Sequence, residues 1–200
     1  MARNGMVSTS QPLATISGVR SLLSGGNAID AAITAAAVLN VVEPYSTGIG
    51  GDMFALVWAE KDKKLYALNA SGRSPASSDA TQLRNMNLSA IPDDSVFSIT
   101  VPGVVSGWET ILERFGQKDL RAALAPAIGY AEEGYPVSEV IARHWSNCAS
   151  RLLKLPSGSE LLVEGRAPSP GEIVRLPELA KSLHIIADSG SGEFYRGSLS

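Results

Sequence analysis

Cysteine and histidine are almost missing from this sequence: Cys148, His144 and His184 are the only ones in 200 residues. A lone cysteine closes no internal disulfide and forms no Cys-x-x-Cys redox or zinc pair, so Cys148 reads as a small buried hydrophobe. The two histidines each fall inside a helical stretch. They offer neither metal-ligand spacing nor, without a Gly-x-Ser-x-Gly elbow, the base of a serine hydrolase, and no metal is expected. An excess of one charge sign is lacking too. With 17 basic against 20 acidic side chains and a net charge of −3, the chain has no electrostatic footprint for nucleic acid or an anionic membrane. Long apolar runs are also absent. The longest, Ala31 to Val42, is too short to span a bilayer, and Met1 to Met6 carries no signal-peptide core, which points to the cytoplasm. Without an export signal, the sequons Asn69-Ala-Ser71 and Asn87-Leu-Ser89 read as chance.

What is present is enough apolar content, 44%, to bury a core. Pro12 to Ser24 reads as a helix ended by Gly25-Gly26. Asn27 is placed to cap the next helix, with Asp30 a favourable first-turn acid. That helix, through Ala31, Ala35 and Val38 to Val42, has no polar face, so it must be buried on most sides and demands more partners than the chain visibly supplies. Met53 to Ala59 reads as a largely buried strand, Asp62-Lys63-Lys64 as a turn, and Leu65 to Asn69 as the returning strand of a hairpin. Ser95 to Val101 alternates well enough to be a third strand candidate. Asp79 and Gln82 are spaced as a capping box for a short helix. Helices follow over Val104 to Phe115, Leu120 to Glu133, Ser138 to Leu153, where Pro156-Ser157-Gly158 stops the helix, and Pro177 to about Ala187, the last of them. Strands first and helices later give an α+β plan, with 1-102 carrying helices and the first sheet strands and 103-200 mainly helical. Two or three strands are too few to close a sheet.

The glycine cluster Thr47-Gly-Ile-Gly-Gly51 invites a phosphate cradle, but it runs from helix to strand, the reverse of a nucleotide loop, and lacks a following Lys-Ser/Thr. Tight turning and close backbone approach beside a sheet account for it better than a pocket-lining nest. The pair Glu132-Glu133 near a helix C-terminus has no visible acid/base partner.

Ordered motifs then carry a resemblance. GMVSTSQPLAT (Gly5 to Thr15), GGNAIDAA (Gly25 to Ala32), VVEPYSTGIGGDMF (Val41 to Phe54), ITVPGVVSGWE (Ile99 to Glu109), RFG (Arg114 to Gly116) and LAPAIGYAEEGYPVS (Leu124 to Ser138) resemble the N-terminal, large-subunit portion of gamma-glutamyltransferases, also called gamma-glutamyltranspeptidases or glutathione hydrolases. PELAKSL and FYRG near the end keep the same order, so the resemblance covers essentially the whole chain.

The resemblance implies part of an αββα N-terminal-nucleophile (Ntn) hydrolase fold, made as a precursor that cuts itself into two subunits. The new N-terminal threonine of the small subunit is the nucleophile, its own amine the base, and no cofactor is needed. Seven threonines occur here, and none is followed by Thr or His as at the family's cleavage point. The expectation is therefore a chain with no catalytic residue of its own, inactive alone. Its partners would be the C-terminal portion carrying the threonine and a small gamma-glutamyl or related acyl substrate, with assembly into a homo-oligomer left open.

The family's large subunit also contributes an arginine to the substrate carboxylate, a bidentate match. The corresponding loop is Asn69-Ala-Ser-Gly-Arg73-Ser-Pro75, and strict alignment puts Ser71 at the family's arginine position. Arg73 is the substrate-binding candidate, set against the default of a solvated surface charge. The displacement fits a relative that prefers another acyl group, as cephalosporin and glutaryl acylases do. A non-catalytic truncated paralogue acting as a scaffold is the competing reading.

Overall fold

The structure is a computed structural model and describes residues 2–92, 95–155 and 157–200. In chain order the elements are α1 (Pro12–Leu23), α2 (Ala28–Val42), β1 (Met53–Ala59), β2 (Lys64–Ala70), α3 (Ala80–Asn85), α4 (Val104–Phe115), α5 (Leu120–Glu133), β3 (Tyr135–Pro136), α6 (Glu139–Leu152), β4 (Ile173–Val174), α7 (Pro177–Ser189) and α8 (Ser191–Arg196). They fall into two compact units: Met1–Gly48 together with Trp108–Ser200, and Ile49–Gly107.

The first unit is helical and is organised on α2. The Asn27 side chain accepts from the amides of Ile29 and Asp30, and the Asp30 carboxylate accepts in return from the Asn27 amide, a complete capping box. Asp30 also accepts from the amides of Gln117 and Lys118, both at 3.0 Å, so this fully buried carboxylate ties the start of α2 to the loop after α4. Asn27 adds a bond from its side-chain amide to the Phe115 carbonyl at 2.6 Å. Small residues on α2 let α1 and α5 pack close against it, and Ala37, Val38, Val41 and Val42 are sealed from solvent. The helix expected to lack partners therefore finds most of them within this chain.

Around it, α5 ends at Gly134, whose φ of 92° lies in the left-handed region that glycine adopts without strain. The short β3–β4 ladder follows, unannounced by so brief a sequence pattern. Tyr135 is buried and its hydroxyl donates to the Val41 carbonyl at 2.9 Å. Burial pushes that phenol far above its ordinary range. Ser138 caps α6 as expected, and Pro156, expected to help stop it, lies outside the described residues. Beyond the expected last helix, α8 continues the chain, its start held by Glu109, which accepts from the Ser191 amide at 3.2 Å and from its hydroxyl.

The second unit is built on an antiparallel hairpin with Met53 opposite Ala70 and Trp58 opposite Leu65. Lys63 turns the chain with a positive φ of 50°. The strand expected to be largely buried is not: β1 alternates, and Phe54 (70% exposed), Leu56 (74%), Trp58 (57%) and, across the register, Leu65 (56%) share one open face. The opposite face is half-buried. A side chain at Gly107 would collide with Ala70 and Met53 there. The third strand candidate is also corrected: Val96–Ser98 is a single 3-10 turn, and Ile99 to Val101 runs extended but outside any ladder. Its alternating apolar residues reflect exposure rather than pairing, with Val96 73% and Ile99 60% exposed. Asp79 does cap α3, though its bond runs to the Thr81 amide.

Candidate functional site

Chemistry-bearing side chains in the helical unit do not converge. His184 Nε2 lies 2.8 Å from Glu132 on the surface, giving Glu132 the partner that sequence reasoning had not found, but half-exposed as both are, the pair is a surface contact. His144 stacks on Tyr45 with ring centroids 6.1 Å apart, and burial with the nearby Glu43 raises the Tyr45 phenol. Cys148 is half-buried rather than the buried hydrophobe expected, and no disulfide engages it. Among the described residues no group of three or more His, Cys, Asp or Glu side chains could hold a metal ion.

The constellation that does form lies in the hairpin unit, at the end of β2. The Asn69 side chain accepts from the Ser71 amide at 2.9 Å and turns the chain out of the strand. The next amide, Gly72, donates to Asp52 Oδ1 at 2.8 Å, and the Thr100 hydroxyl reaches the same carboxylate at 3.3 Å. The Arg73 carbonyl then accepts from the Val101 amide at 2.9 Å. Residues 72 and 73 are thus gripped between Asp52, at the entry to β1, and the extended segment that leads into α4.

Glycine is required in this grip. A Cβ on Gly72 would overlap the Val101 carbonyl, and one on Gly103 would overlap the Ala70 carbonyl. Gly51 closes the arrangement by accepting from the amides of Gly103 and Val104 at 2.9 and 3.0 Å, which fixes the first turn of α4. Close approach, expected of the glycine cluster 48–51, is found at Gly51, whose carbonyl meets the backbone of residues 103 and 104, and also at Gly72 and Gly103 outside the cluster. Gly48 and Gly50 have open space where a Cβ would stand.

Arg73 itself is exposed, and its guanidinium has no ion-pair partner among the described residues. A fixed backbone with a cationic head that has no ion-pair partner among the described residues is an arrangement able to receive an anion, by a bidentate contact to a carboxylate. Asp52 could not be recognised from sequence as the anchor, since its partners lie 20 and 48 residues away.

The family model described as Gamma-glutamyltranspeptidase matches residues 14–200. The chain is 40% identical over 196 residues to the glutathione hydrolase-like YwrD proenzyme of Bacillus subtilis, covering 97% of this chain and 37% of that protein. Among solved structures, gamma-glutamyltranspeptidase of Helicobacter pylori superimposes with a TM-score of 0.92 at 30% identity, over 100% of this chain and 58% of that one. Cephalosporin acylase of Bacillus halodurans gives 0.89 at 43% identity, over 99% of this chain and 38% of that one. The chain therefore matches along its whole length yet spans only about 37% of the curated relative's length.

Proposed function

The chain belongs to the gamma-glutamyltranspeptidase family, and from that membership we propose that it is the N-terminal portion of an amidohydrolase proenzyme whose nucleophile comes from the portion that follows. One observation carries this reading: the hairpin leaves Phe54, Leu56, Trp58 and Leu65 exposed on a single face. Four large apolar side chains on one sheet face form a surface that a folded partner covers, each contributing about 1.5–3 kcal/mol on full burial. The relatives' additional length supplies a candidate cover from within the same proenzyme.

In this reading the threonine hydroxyl of the C-terminal portion adds to the acyl carbonyl while its own α-amine takes the proton. The amine leaving group departs with that proton, an ester to the threonine remains, and water or an acceptor amine resolves it. Arg73 contributes binding: its guanidinium receives the carboxylate at the far end of the acyl group and sets which carbonyl meets the hydroxyl. Gamma-glutamyl and glutaryl groups both carry such a carboxylate. The second is favoured by the place of Arg73, shifted from the family's position now held by Ser71, and by the 43% identity to a cephalosporin acylase.

The test is to quench the complete proenzyme during turnover of a glutaryl or gamma-glutamyl anilide and map the acyl mass by mass spectrometry. The acyl group is expected on a threonine at the start of the C-terminal fragment. Acylation of Cys148, or of any threonine within these 200 residues, would defeat the proposal.

A further inference from the structure

We propose that Asp52 is a positioning residue that presents Arg73 to the carboxylate of the acyl donor; this rests on the reading of Arg73 given above. The Asp52 side chain is not spent on the guanidinium. Its Oδ1 accepts from the Gly72 amide at 2.8 Å, and the carboxylate also receives the Thr100 hydroxyl at 3.3 and 3.4 Å. An aspartate this close in the fold could have neutralised Arg73 by pairing with it. Committed instead to the peptide immediately before Arg73 and to Thr100, it fixes the root of the arginine and leaves the head for a ligand.

The second grip, from the Val101 amide to the Arg73 carbonyl, depends on the first. Gly72 passes so close to the Val101 carbonyl that no side chain fits between them, so a small displacement of residue 72 shifts the whole register of the loop against residues 100–103. Asp52 is the side-chain anchor of the Gly72 amide among the described residues. A loop arginine held this way loses less conformational freedom on binding an anion than one on a free loop, and the saving appears as affinity for donors that carry the anion.

The experiment compares two acyl anilides on the complete proenzyme, one ending in a free carboxylate and one with that carboxylate as a methyl ester. The readout is the ratio of kcat/KM for the acid to that for the ester. Arg73→Ala is expected to lower this ratio about 10- to 100-fold, the loss of a charge-assisted contact. Asp52→Ala is expected to lower it in the same direction by about fivefold or more, through KM for the acid rather than through kcat, while Asp52→Asn, whose amide oxygen still accepts from Gly72, recovers most of it.

A ratio unchanged in Asp52→Ala, with Arg73→Ala lowering it, would overturn the positioning role alone. A ratio unchanged in Arg73→Ala would overturn the Arg73 reading and the positioning role with it. Equal losses on both donors in Asp52→Ala would mark a purely structural aspartate and also overturn the proposal. Should Asp52→Ala fail to mature, Asp52→Glu carries the same test, since its longer side chain displaces Gly72 without removing the acceptor; an unchanged ratio there counts against the proposal.

Discussion

The carboxylate of Asp30 accepts from the backbone amide of Gln117 at 3.0 Å across 87 residues of sequence, while also closing the capping box on Asn27. One buried side chain thus satisfies donors at two helix boundaries, the start of α2 and the exit from α4.

Removing it is expected to destabilise the chain more than an ordinary cap would. Asp30→Ala leaves the amides of Asn27, Gln117 and Lys118 without their acceptor, at about 3 kcal/mol or more against about 1 kcal/mol for a typical cap. Asp30→Asn keeps one acceptor oxygen and should fall between. Urea denaturation, read at the midpoint with the slope unchanged, measures both.

The glycines sort into two classes that substitution should separate. Gly72→Ala and Gly103→Ala force a methyl group into a backbone carbonyl and are expected to cost about 1–3 kcal/mol each. Gly48→Ala and Gly50→Ala meet open space and should lie within about 0.5 kcal/mol of the parent chain. Thermal denaturation of the four variants side by side checks the contrast; equal effects would refute it.

Glu172 carries a pH dependence with a definite sign. Its bond from Arg166, with help from the Ser169 amide, lowers the carboxyl from the ordinary 4.5 to about 2. A depressed folded value means that the stabilisation is complete above about pH 4.5 and is lost as the pH falls through 2. The Glu172 side-chain NMR titration is expected to show a midpoint near 2 in the parent chain, returning toward the ordinary value in Arg166→Gln.

Much of this architecture could be read from the sequence because the deciding forces are local. The all-apolar α2, the Asn27 cap, the Asp62-Lys63-Lys64 turn and the helix ends at Phe115 and Glu133 depend on neighbours a few residues away. The misreadings share the opposite cause. Ser95 to Val101 has the alternation of a strand, but a strand exists only when another edge offers amides, and here the segment joins no ladder and gives the Arg73 loop a single backbone bond, from the Val101 amide. The exposure of Phe54 and Trp58 cannot be inferred from β1, because apolar alternates on both faces look the same whether or not a cover is present. At the candidate site Arg73 is proposed from the family resemblance of its loop, whereas Asp52 was hidden by the 20 and 48 residues of chain, including the whole β1–β2 hairpin, that separate it from Gly72 and Thr100.

The open hairpin face should behave as an interface in solution. Replacing Leu56 and Trp58 with threonine is expected to reduce binding of a hydrophobic dye by the isolated chain while leaving the hairpin register intact, because Thr suits a strand. In the complete proenzyme the same pair should lower the melting temperature, since there the face is expected to be covered. Dye binding that stays constant in the isolated chain would show that the face is not an open apolar surface.

Turnover of a chromogenic glutaryl or gamma-glutamyl anilide by the purified 200-residue chain, beside the complete proenzyme, tests the account most directly. Release of the chromophore is expected from the proenzyme alone, with the isolated chain no faster than its heat-killed control. Steady turnover by these 200 residues, abolished on heating, would mean that they hold a nucleophile of their own and would contradict the account.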